Sequence, residues 1–136
     1  MNYIDTNIII AYLNVNDVNH PRASKAMNQM DDKVTSQIGL MELRSVLSRT
    51  TKLNEDEIEA YVDYLATIKI DVPEVDINKI FENAVQISYK IKMRTLDTLH
   101  LSASMIVNAH TFVTLDREFL EKKSEISDIG IEIHSP

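Results

Sequence analysis

The sequence of 136 residues contains no cysteine, only two glycines and only three prolines. Without cysteine the chain can form no disulfide framework, no thiolate zinc site and no thiol nucleophile. So few turn-forming residues argue against an all-β fold built from tight hairpins. Because 44% of the residues are hydrophobic, a chain of this length can bury the core of one ordinary domain without cross-links.

Long apolar segments are also missing. No uninterrupted apolar stretch approaches the roughly 20 residues that a transmembrane helix needs. The first residues, Met1-Asn2-Tyr3, are polar and lack the basic segment of a secretory signal peptide. We therefore expect a single domain over residues 1–136 that has no membrane partner. The lack of cysteine suits a reducing cytoplasmic location.

Basic residues are few as well. The chain has 14 lysines and arginines and 21 acids, which gives a net charge of −7. On electrostatics alone, such a chain is not an obvious nucleic-acid binder. One interpretation is that the partner is not a polyanion. Another is that some acids surround bound cations, which reverse the local charge. A basic protein partner also fits the charge.

Strand and helix patterns alternate along the chain. A first strand ends at Asp5, and an apolar helix follows at once. Later strands are predicted at residues 34–36, 70–72, 111–116 and 131–133, and Pro73 favours an edge position for the strand before it. Helices are predicted from His20 onwards and over residues 38–50, 54–68, 76–91, 96–109 and 117–123. In the helix from Asp76 to Ile91, Ile77 and Phe81 are predicted to lie in the buried stripe. This order predicts a three-layer α/β/α fold, with a central parallel sheet of about five short strands and helices on both faces.

Two of these strands end in an acid, Asp5 and Asp116. If the strands are neighbours in a parallel sheet, their carboxyl ends lie roughly 5 Å apart. Ligands bind outside the carboxyl ends of the strands in open parallel sheets, so acids there are placed for chemistry. For Asp5 alone, a helix N-cap is the simpler interpretation.

Two further acids are predicted to lie on helices at the same edge. Glu42 is one turn into the third helix, on the border of its apolar face, and Asp97 is in the first turn of the most apolar helix. Four carboxylates at one edge would repel each other unless cations lay among them. Oxygen ligands without cysteine or histidine favour Mg²⁺ or Mn²⁺. Such a site suits metal-assisted phosphodiester hydrolysis.

Four segments resemble the motifs of PIN domains, in the order and spacing of that family. They are YIDTNII at 3–9, MEL at 41–43 with VLSR at 46–49, RTLDTLHLSA at 94–103, and TLDREF at 114–119. The resemblance covers essentially the whole chain, and the size is similar to that of VapC toxins, the compact PIN ribonucleases of prokaryotic toxin–antitoxin pairs.

The resemblance implies an Mg²⁺- or Mn²⁺-dependent endoribonuclease that hydrolyses RNA phosphodiester bonds. It implies that Asp5 and Asp97 are the primary metal ligands. Glu42 would be a ligand directly or through water, and Asp116, the fourth catalytic acid, would hold a second metal or position water. In the family the fourth acid varies most.

Other residues of these motifs receive supporting roles. Thr6, Asn7 and Thr114 match polar positions that orient the acids or the attacking water in the family. Arg94 lies in a basic segment that could guide the phosphate backbone, although cations near a helix C-terminus also complement its dipole. His100 is interpreted as a packed or hydrogen-bonded structural histidine rather than a general base.

The resemblance also implies a homodimer and a protein antitoxin, which in the family often directs a basic residue towards the acidic cluster. Apolar residues at Tyr12, Met27, Tyr61, Tyr64 and Leu65 could form these surfaces. Ordinary core packing is the alternative for most of them.

Other functions remain to be weighed. A housekeeping PIN nuclease of RNA processing and an inactive PIN binding module share the same motifs, although four intact acids argue against loss of activity. A receiver-like Mg²⁺-binding phospho-acceptor would need paired acids after the first strand and a lysine after the last. A haloacid-dehalogenase-like phosphatase would need an acid where the chain has Asn7. No glycine-rich turn follows the first strand, which excludes dinucleotide binding.

Overall fold

A computed structural model describes residues 1–136 and has one parallel sheet of five strands in the order β3-β2-β1-β4-β5. The strands are β1 (Asn2–Ile4), β2 (Lys33–Val34), β3 (Ile70–Asp71), β4 (Thr111–Val113) and β5 (Glu132–His134). The helices are α1 (Thr6–Leu13), α2 (His20–Gln29), α3 (Gln37–Thr50), α4 (Glu55–Thr67), α5 (Ile77–Ile91), α6 (Thr95–Ile106), α7 (Arg117–Glu121) and α8 (Lys123–Asp128). The predicted fold class is confirmed.

The sheet separates two hydrophobic cores because successive side chains of a strand point to opposite faces. Tyr3 and Phe112 pack with α5, α6, α7 and α8 on one face. Their neighbours Ile4 and Val113 pack with α1, α2, α3 and α4 on the other. All four side chains are fully buried. The molecule therefore has the predicted helix layers on both faces of the sheet.

The central pair of strands, β1 and β4, determines where the functional side chains meet. Ile4 pairs with Val113 in parallel register, so Asp5 and Thr114 leave the sheet side by side. The strand before Pro73 is at one edge, as predicted, and β5 is at the other. Because every strand is parallel, all carboxyl ends lie along the same border of the sheet.

Polar side chains cap several helix starts, and for Asp5 this was predicted. Asp5 caps α1 by accepting from the backbone N–H of Thr6 at 2.8 Å. Asn54 and Glu57 form a reciprocal capping box at the start of α4, which satisfies two backbone donors that a helix leaves free. None of the helices is both long enough and apolar enough to cross a bilayer.

Several predicted boundaries are wrong, each for a local reason. The strand predicted over 34–36 ends at Val34, because Ser36 turns to cap α3. The helix predicted over 96–109 ends at Ile106, because Asn108 adopts a left-handed conformation with φ of 62°. Residues 117–128 form two short helices instead of one ending at 123, and α8 buries a single side chain, which is too little to produce a periodic pattern.

Candidate metal centre at the carboxyl edge of the sheet

Asp5 lies at the centre of the carboxyl edge and is only 5% exposed. Its Oδ1 accepts from the backbone N–H of Thr6, and its Oδ2 accepts from Thr114 Oγ1 at 2.7 Å and from Asn7 Nδ2 at 3.1 Å. The Thr6 hydroxyl instead donates to the carbonyl oxygen of Gly39 in α3, at 3.4 Å. Asp5 is thus both an N-cap and a fixed carboxylate at the predicted site.

A small hydrogen-bond network joins the start of α1 to the loop after β4. Thr114 Oγ1 accepts from Asn7 Nδ2 at 3.2 Å and from the backbone N–H of Asp116 at 3.0 Å. Asn7 Oδ1 accepts from the backbone N–H of Leu115 at 3.1 Å. Asn7 and Thr114 therefore connect the Asp5 carboxylate to the backbone of Leu115 and Asp116.

Glu42 approaches Asp5 from α3 and is half-buried. Its Oε1 accepts from His100 Nε2 at 3.0 Å, and His100 Nδ1 lies 3.0 Å from the hydroxyl of Tyr3. Asp5, Glu42 and His100 each have one atom that could bind a metal ion, and these three atoms lie within 4.8 Å of one another. His100 is 2% exposed, which confirms its interpretation as a buried, hydrogen-bonded histidine.

The other two predicted acids form a second group with Glu118. Ligand atoms of Asp97, Asp116 and Glu118 lie within 4.8 Å of one another. Asp116 Oδ1 also accepts from the backbone N–H of Glu118 at 2.9 Å and caps α7. No role was predicted for Glu118 from the sequence. Its position two residues after a predicted ligand, in the first turn of a helix, was the available signal.

The four predicted acids are therefore not gathered in one shell but divided between two adjoining groups. Asp97 and His100 are one turn apart on α6, and Thr114 contacts both Asp5 and the backbone of Asp116. Arg94, predicted to guide substrate, is the exposed N-cap residue of α6 and makes no side-chain hydrogen bond at the helix start.

The carboxyl groups of this edge have unusual electrostatics. Burial raises the pKa of Asp5 to about 6, although His100 and the hydroxyl of Thr114 act in the opposite direction. Burial also raises the pKa of Asp97, and the negative charges of Asp116 and Glu118 add to the increase. A raised carboxyl pKa means that the ionised form is insufficiently compensated in the chain by itself.

Glu42 behaves differently, because it has a cationic or hydrogen-bonding partner. Burial opposes its ionisation, but the hydrogen bond and charge of His100 outweigh this effect and lower the pKa of Glu42. Reciprocally, burial disfavours the charged form of His100, while Glu42 and Asp5 raise the pKa of His100 overall. The only other side-chain ion pair in the structure, between Arg44 and Glu59, does not include a site residue.

These observations fit a divalent cation. Five carboxylates face one border of the sheet without a lysine or arginine ion pair, and their oxygens are the donors that Mg²⁺ and Mn²⁺ prefer. The uncompensated charge of Asp5 and Asp97 is what a bound cation would relieve. Mg²⁺ or Mn²⁺ is thus compatible with the residues present.

Proton competition at Asp5 leads to a pH-dependent prediction. A cation binds the ionised carboxylate, so below the pKa of about 6 a proton must be displaced. We expect the Mn²⁺ affinity to fall by about tenfold per pH unit below pH 6 if one proton is displaced. Calorimetric titrations at several pH values check this. An affinity independent of pH from 5 to 7 would contradict the raised pKa of Asp5.

The fold and the site together define an α/β/α domain with a carboxylate centre at the carboxyl edge of its parallel sheet. The model of the PIN domain family matches residues 3–125. The chain belongs to the PIN domain family, which excludes the receiver-like and phosphatase-like interpretations. The sequence comparison with curated proteins finds no match.

Solved structures similar to this chain include VapBC proteins and a VapC toxin. VapBC2 from Rickettsia felis, bound to a DNA fragment from its promoter, is 18% identical, with a TM-score of 0.68 over 99% of this chain and 98% of that one. VapBC-1 from nontypeable Haemophilus influenzae is 20% identical, with a TM-score of 0.69 over 99% and 98%. Mycobacterium tuberculosis VapC20, a toxin that cleaves the sarcin–ricin loop, is 15% identical, with a TM-score of 0.69 over 96% of each chain. At these identities the similarity shows the shared fold.

Proposed function

We propose that this chain is a cytoplasmic Mg²⁺- or Mn²⁺-dependent endoribonuclease and the toxin of a toxin–antitoxin pair. The observation that carries the proposal is the pair of acidic groups at the carboxyl edge, in which the charges of Asp5 and Asp97 are insufficiently compensated. Membership of the PIN family supports a nuclease. The toxin role is supported by the similar VapBC structures, and RNA as the substrate by VapC20, which cleaves the sarcin–ricin loop.

The two acidic groups assign roles to the residues of this chain. Asp5 and Glu42 would hold a cation in the first group, and Asp97, Asp116 and Glu118 would hold one in the second. When bound, Mg²⁺ or Mn²⁺ supplies positive charge for the phosphoryl oxygens and increases the acidity of water.

The neutral and basic residues complete this assignment. Asn7 and Thr114 keep the Asp5 carboxylate oriented through hydrogen bonds to its Oδ2. The exposed Arg94 beside Asp97 would attract the RNA backbone towards an otherwise acidic edge.

The direct test is cleavage of structured RNAs by the purified protein, with Mn²⁺ or with a chelator. We expect cleavage with Mn²⁺ and none with the chelator. Expression in a bacterial host is expected to arrest growth; RNA cleavage without growth arrest would identify a housekeeping RNA-processing enzyme instead. Binding of Mn²⁺ without cleavage of any RNA would favour a PIN domain that serves only as a binding module.

An antitoxin partner is supported by the VapBC complexes among the similar structures. The net charge of −7 and the acidic edge suit an inhibitor that presents a basic side chain to the site. Met27 and Leu65 are among the residues predicted either for partner surfaces or for core packing; at 5% and 1% exposed, they belong to the core. Tyr64, at 44% exposed, remains available.

A strip of exposed apolar residues lies along α5. Ile77, Phe81, Val85 and Tyr89 follow each other at four-residue intervals and are 41–73% exposed. The prediction that Ile77 and Phe81 are buried is therefore wrong, because α5 packs through its opposite side. A continuous apolar strip of this kind is characteristic of an interaction surface. We propose that two copies of the chain form a homodimer through this strip.

Replacing Phe81 by Glu should therefore disrupt the dimer, because two carboxylates would face each other across the two-fold axis. Sedimentation equilibrium measures the change, and monomers are expected at concentrations where the wild type is dimeric. Tyr64→Glu is the matched control, since Tyr64 is similarly exposed on a different surface. A monomeric wild type, or a dimeric Phe81→Glu variant, would contradict the proposed interface.

A further inference from the structure

A buried hydrogen-bond chain connects the start of α3 to the metal centre. The hydroxyl of Tyr3 lies 2.6 Å from Ser36 Oγ and 3.0 Å from His100 Nδ1, and His100 Nε2 lies 3.0 Å from Glu42 Oε1. Ser36, Tyr3 and His100 are at most 2% exposed. This series of hydrogen bonds thus begins at Ser36, the N-cap of α3, passes through Tyr3 in β1 and His100 in α6, and returns to α3 at Glu42.

The donor and the acceptor in each of these hydrogen bonds follow from the groups at the two ends of the series. His100 Nε2 faces the carboxylate of Glu42 and therefore carries a proton. In the charged ring Nδ1 also donates, to the hydroxyl oxygen of Tyr3, whereas in the neutral ring Nδ1 accepts from that hydroxyl. The oxygen of Tyr3 then accepts from Ser36, and Ser36 Oγ accepts from the backbone N–H of Gly39 at 3.3 Å. Each donor has an acceptor along the whole chain.

Packing restricts the histidine ring further. The Tyr3 ring stacks on Phe112 with a centroid distance of 5.3 Å, and the His100 ring meets Tyr3 edge-on at 6.0 Å. A ring held at both nitrogens and packed against a fixed aromatic ring has one orientation. Its burial keeps it away from RNA, so it cannot act by contact with the substrate.

Glu42, in contrast, depends mainly on one partner. Asp5 accepts three hydrogen bonds, whereas the main partner of the Glu42 carboxylate is His100 Nε2, and the Thr6 hydroxyl contributes less to lowering the pKa of Glu42. Glu42 is also longer than Asp5 and half-buried, so without that bond its carboxylate can adopt several rotamers.

We propose that His100 is a positioning residue that holds the Glu42 carboxylate beside Asp5 and thereby increases the affinity of this group for a divalent cation. The inference rests on the metal site of the proposed function and deepens it. Hydrogen-bonding partners of metal ligands commonly affect metal affinity in this way, because they orient the ligand before the metal binds. His100 acts through Glu42, with Tyr3 and Ser36 fixing the ring.

Three substitutions of His100 separate positioning from simple packing. In His100→Gln the amide nitrogen can replace Nε2 and reach Glu42. In His100→Asn the shorter amide can replace only Nδ1, towards Tyr3, and His100→Leu removes both contacts. Ser102→Ala is the matched control, since Ser102 is a buried α6 residue whose hydroxyl donates to the Ile80 carbonyl at 2.6 Å, outside the site.

Mn²⁺ affinity, measured by calorimetry, and thermal unfolding are compared for all variants. We expect the Leu and Asn variants to bind Mn²⁺ about 10- to 100-fold more weakly than the wild type. The Gln variant should bind close to wild type. Ser102→Ala should lower the unfolding temperature and leave Mn²⁺ affinity unchanged.

If the wild type binds Mn²⁺, either of two results would overturn the proposal. One is wild-type Mn²⁺ affinity in His100→Leu, which would make the histidine a packing residue only. The other is a ¹⁵N hyperfine coupling from the ring in the electron spin resonance of bound Mn²⁺, which would make His100 a direct ligand. A wild type that binds no Mn²⁺ also overturns it. RNA cleavage, assayed separately, tests the nuclease proposal: a wild type that binds Mn²⁺ without cleaving RNA defeats that proposal alone.

Discussion

Replacing Asp5 by Asn is expected to lower Mn²⁺-dependent RNA cleavage on the order of a thousandfold. The asparagine has the same shape and keeps an oxygen for the backbone N–H of Thr6, so the cap of α1 survives. It lacks the negative charge, and its nitrogen replaces the Oδ2 that accepts from Thr114 and Asn7. Initial cleavage rates of one structured RNA measure the effect.

The same variant should fold at least as well as the wild type when no metal is present. The pKa of Asp5 in the folded chain, about 6, lies above its ordinary value of 3.8. The stabilising contribution of Asp5 is therefore fully present below pH 4 and is lost as the pH rises through 6. At pH 7.5 the ionised side chain opposes folding, so Asn should not lower the unfolding temperature there.

Asp76→Asn is the matched control for this substitution. Asp76 caps α5 by accepting from the backbone N–H of Asn78 at 2.9 Å, but it is exposed and lies outside both acidic groups. Cleavage by this variant should equal that of the wild type. If Asp5→Asn cleaved RNA at the wild-type rate, Asp5 would not be a metal ligand.

Replacing Gly39 by Ala is expected to destabilise the chain by about 1–3 kcal/mol. A Cβ at this position would lie 2.2 Å from Thr35 Oγ1, and both residues are buried. Thr35 is β-branched and has little rotamer freedom to withdraw its hydroxyl. The clash would shift the first turn of α3, which contains Ser36 and leads to Glu42, so Mn²⁺ affinity should fall together with stability.

A second substitution provides the test of this mechanism. Thr35 Oγ1 lacks a well-formed hydrogen bond, so Thr35→Ala removes the obstacle at little cost in polar contacts. In urea unfolding, the Gly39→Ala and Thr35→Ala double variant should be more stable than the sum of the single effects by about 0.5–3 kcal/mol. Thr35→Val, which keeps an atom at the Oγ1 position, should not rescue. Additive effects would show that the clash is not the cause.

The position of Asp5 shows how far sequence reasoning reaches. An apolar run that ends in an acid and continues into a helix predicts both its strand end and its capping role. The same reasoning predicts Asp97 in the first turn of α6, where the structure has it. It predicts Asp116 as the end of a strand over 111–116, whereas β4 ends at Val113 and Asp116 caps α7. These are local patterns, and local patterns do not require knowledge of the rest of the chain.

The grouping of the acids, in contrast, could not be predicted from local sequence patterns. The sequence predicted one cluster of four, whereas the structure has two groups and adds His100 to one and Glu118 to the other. Which oxygens come within reach of each other depends on side-chain rotamers and on the packing of α3 against α6, whose contacting residues Glu42 and His100 are 58 positions apart. No periodic pattern in the sequence indicates which residues so far apart along the chain come into contact.

The exposed apolar side of α5 could not be predicted from the sequence either. On α5 the pattern identifies apolar residues on more than one side, but Ile80 and Ile87 are buried whereas Phe81 and Val85 are exposed. Hydrophobicity gives the propensity for burial; the neighbouring element decides which side is covered. Met27 and Leu65 illustrate the converse, because residues proposed as surface are covered by the core of the other face.

By itself, the sequence determined the alternating elements, the parallel α/β/α fold, the family motifs and the four acids at the carboxyl edge, because hydrophobic periodicity, capping and short motifs are encoded within a few residues of each other. Only the tertiary structure decided that these acids divide into two groups, that Ser36, Tyr3 and His100 support Glu42, and that α5 presents the free apolar strip. Those features depend on contacts between distant segments, which form only when the layers pack on the sheet.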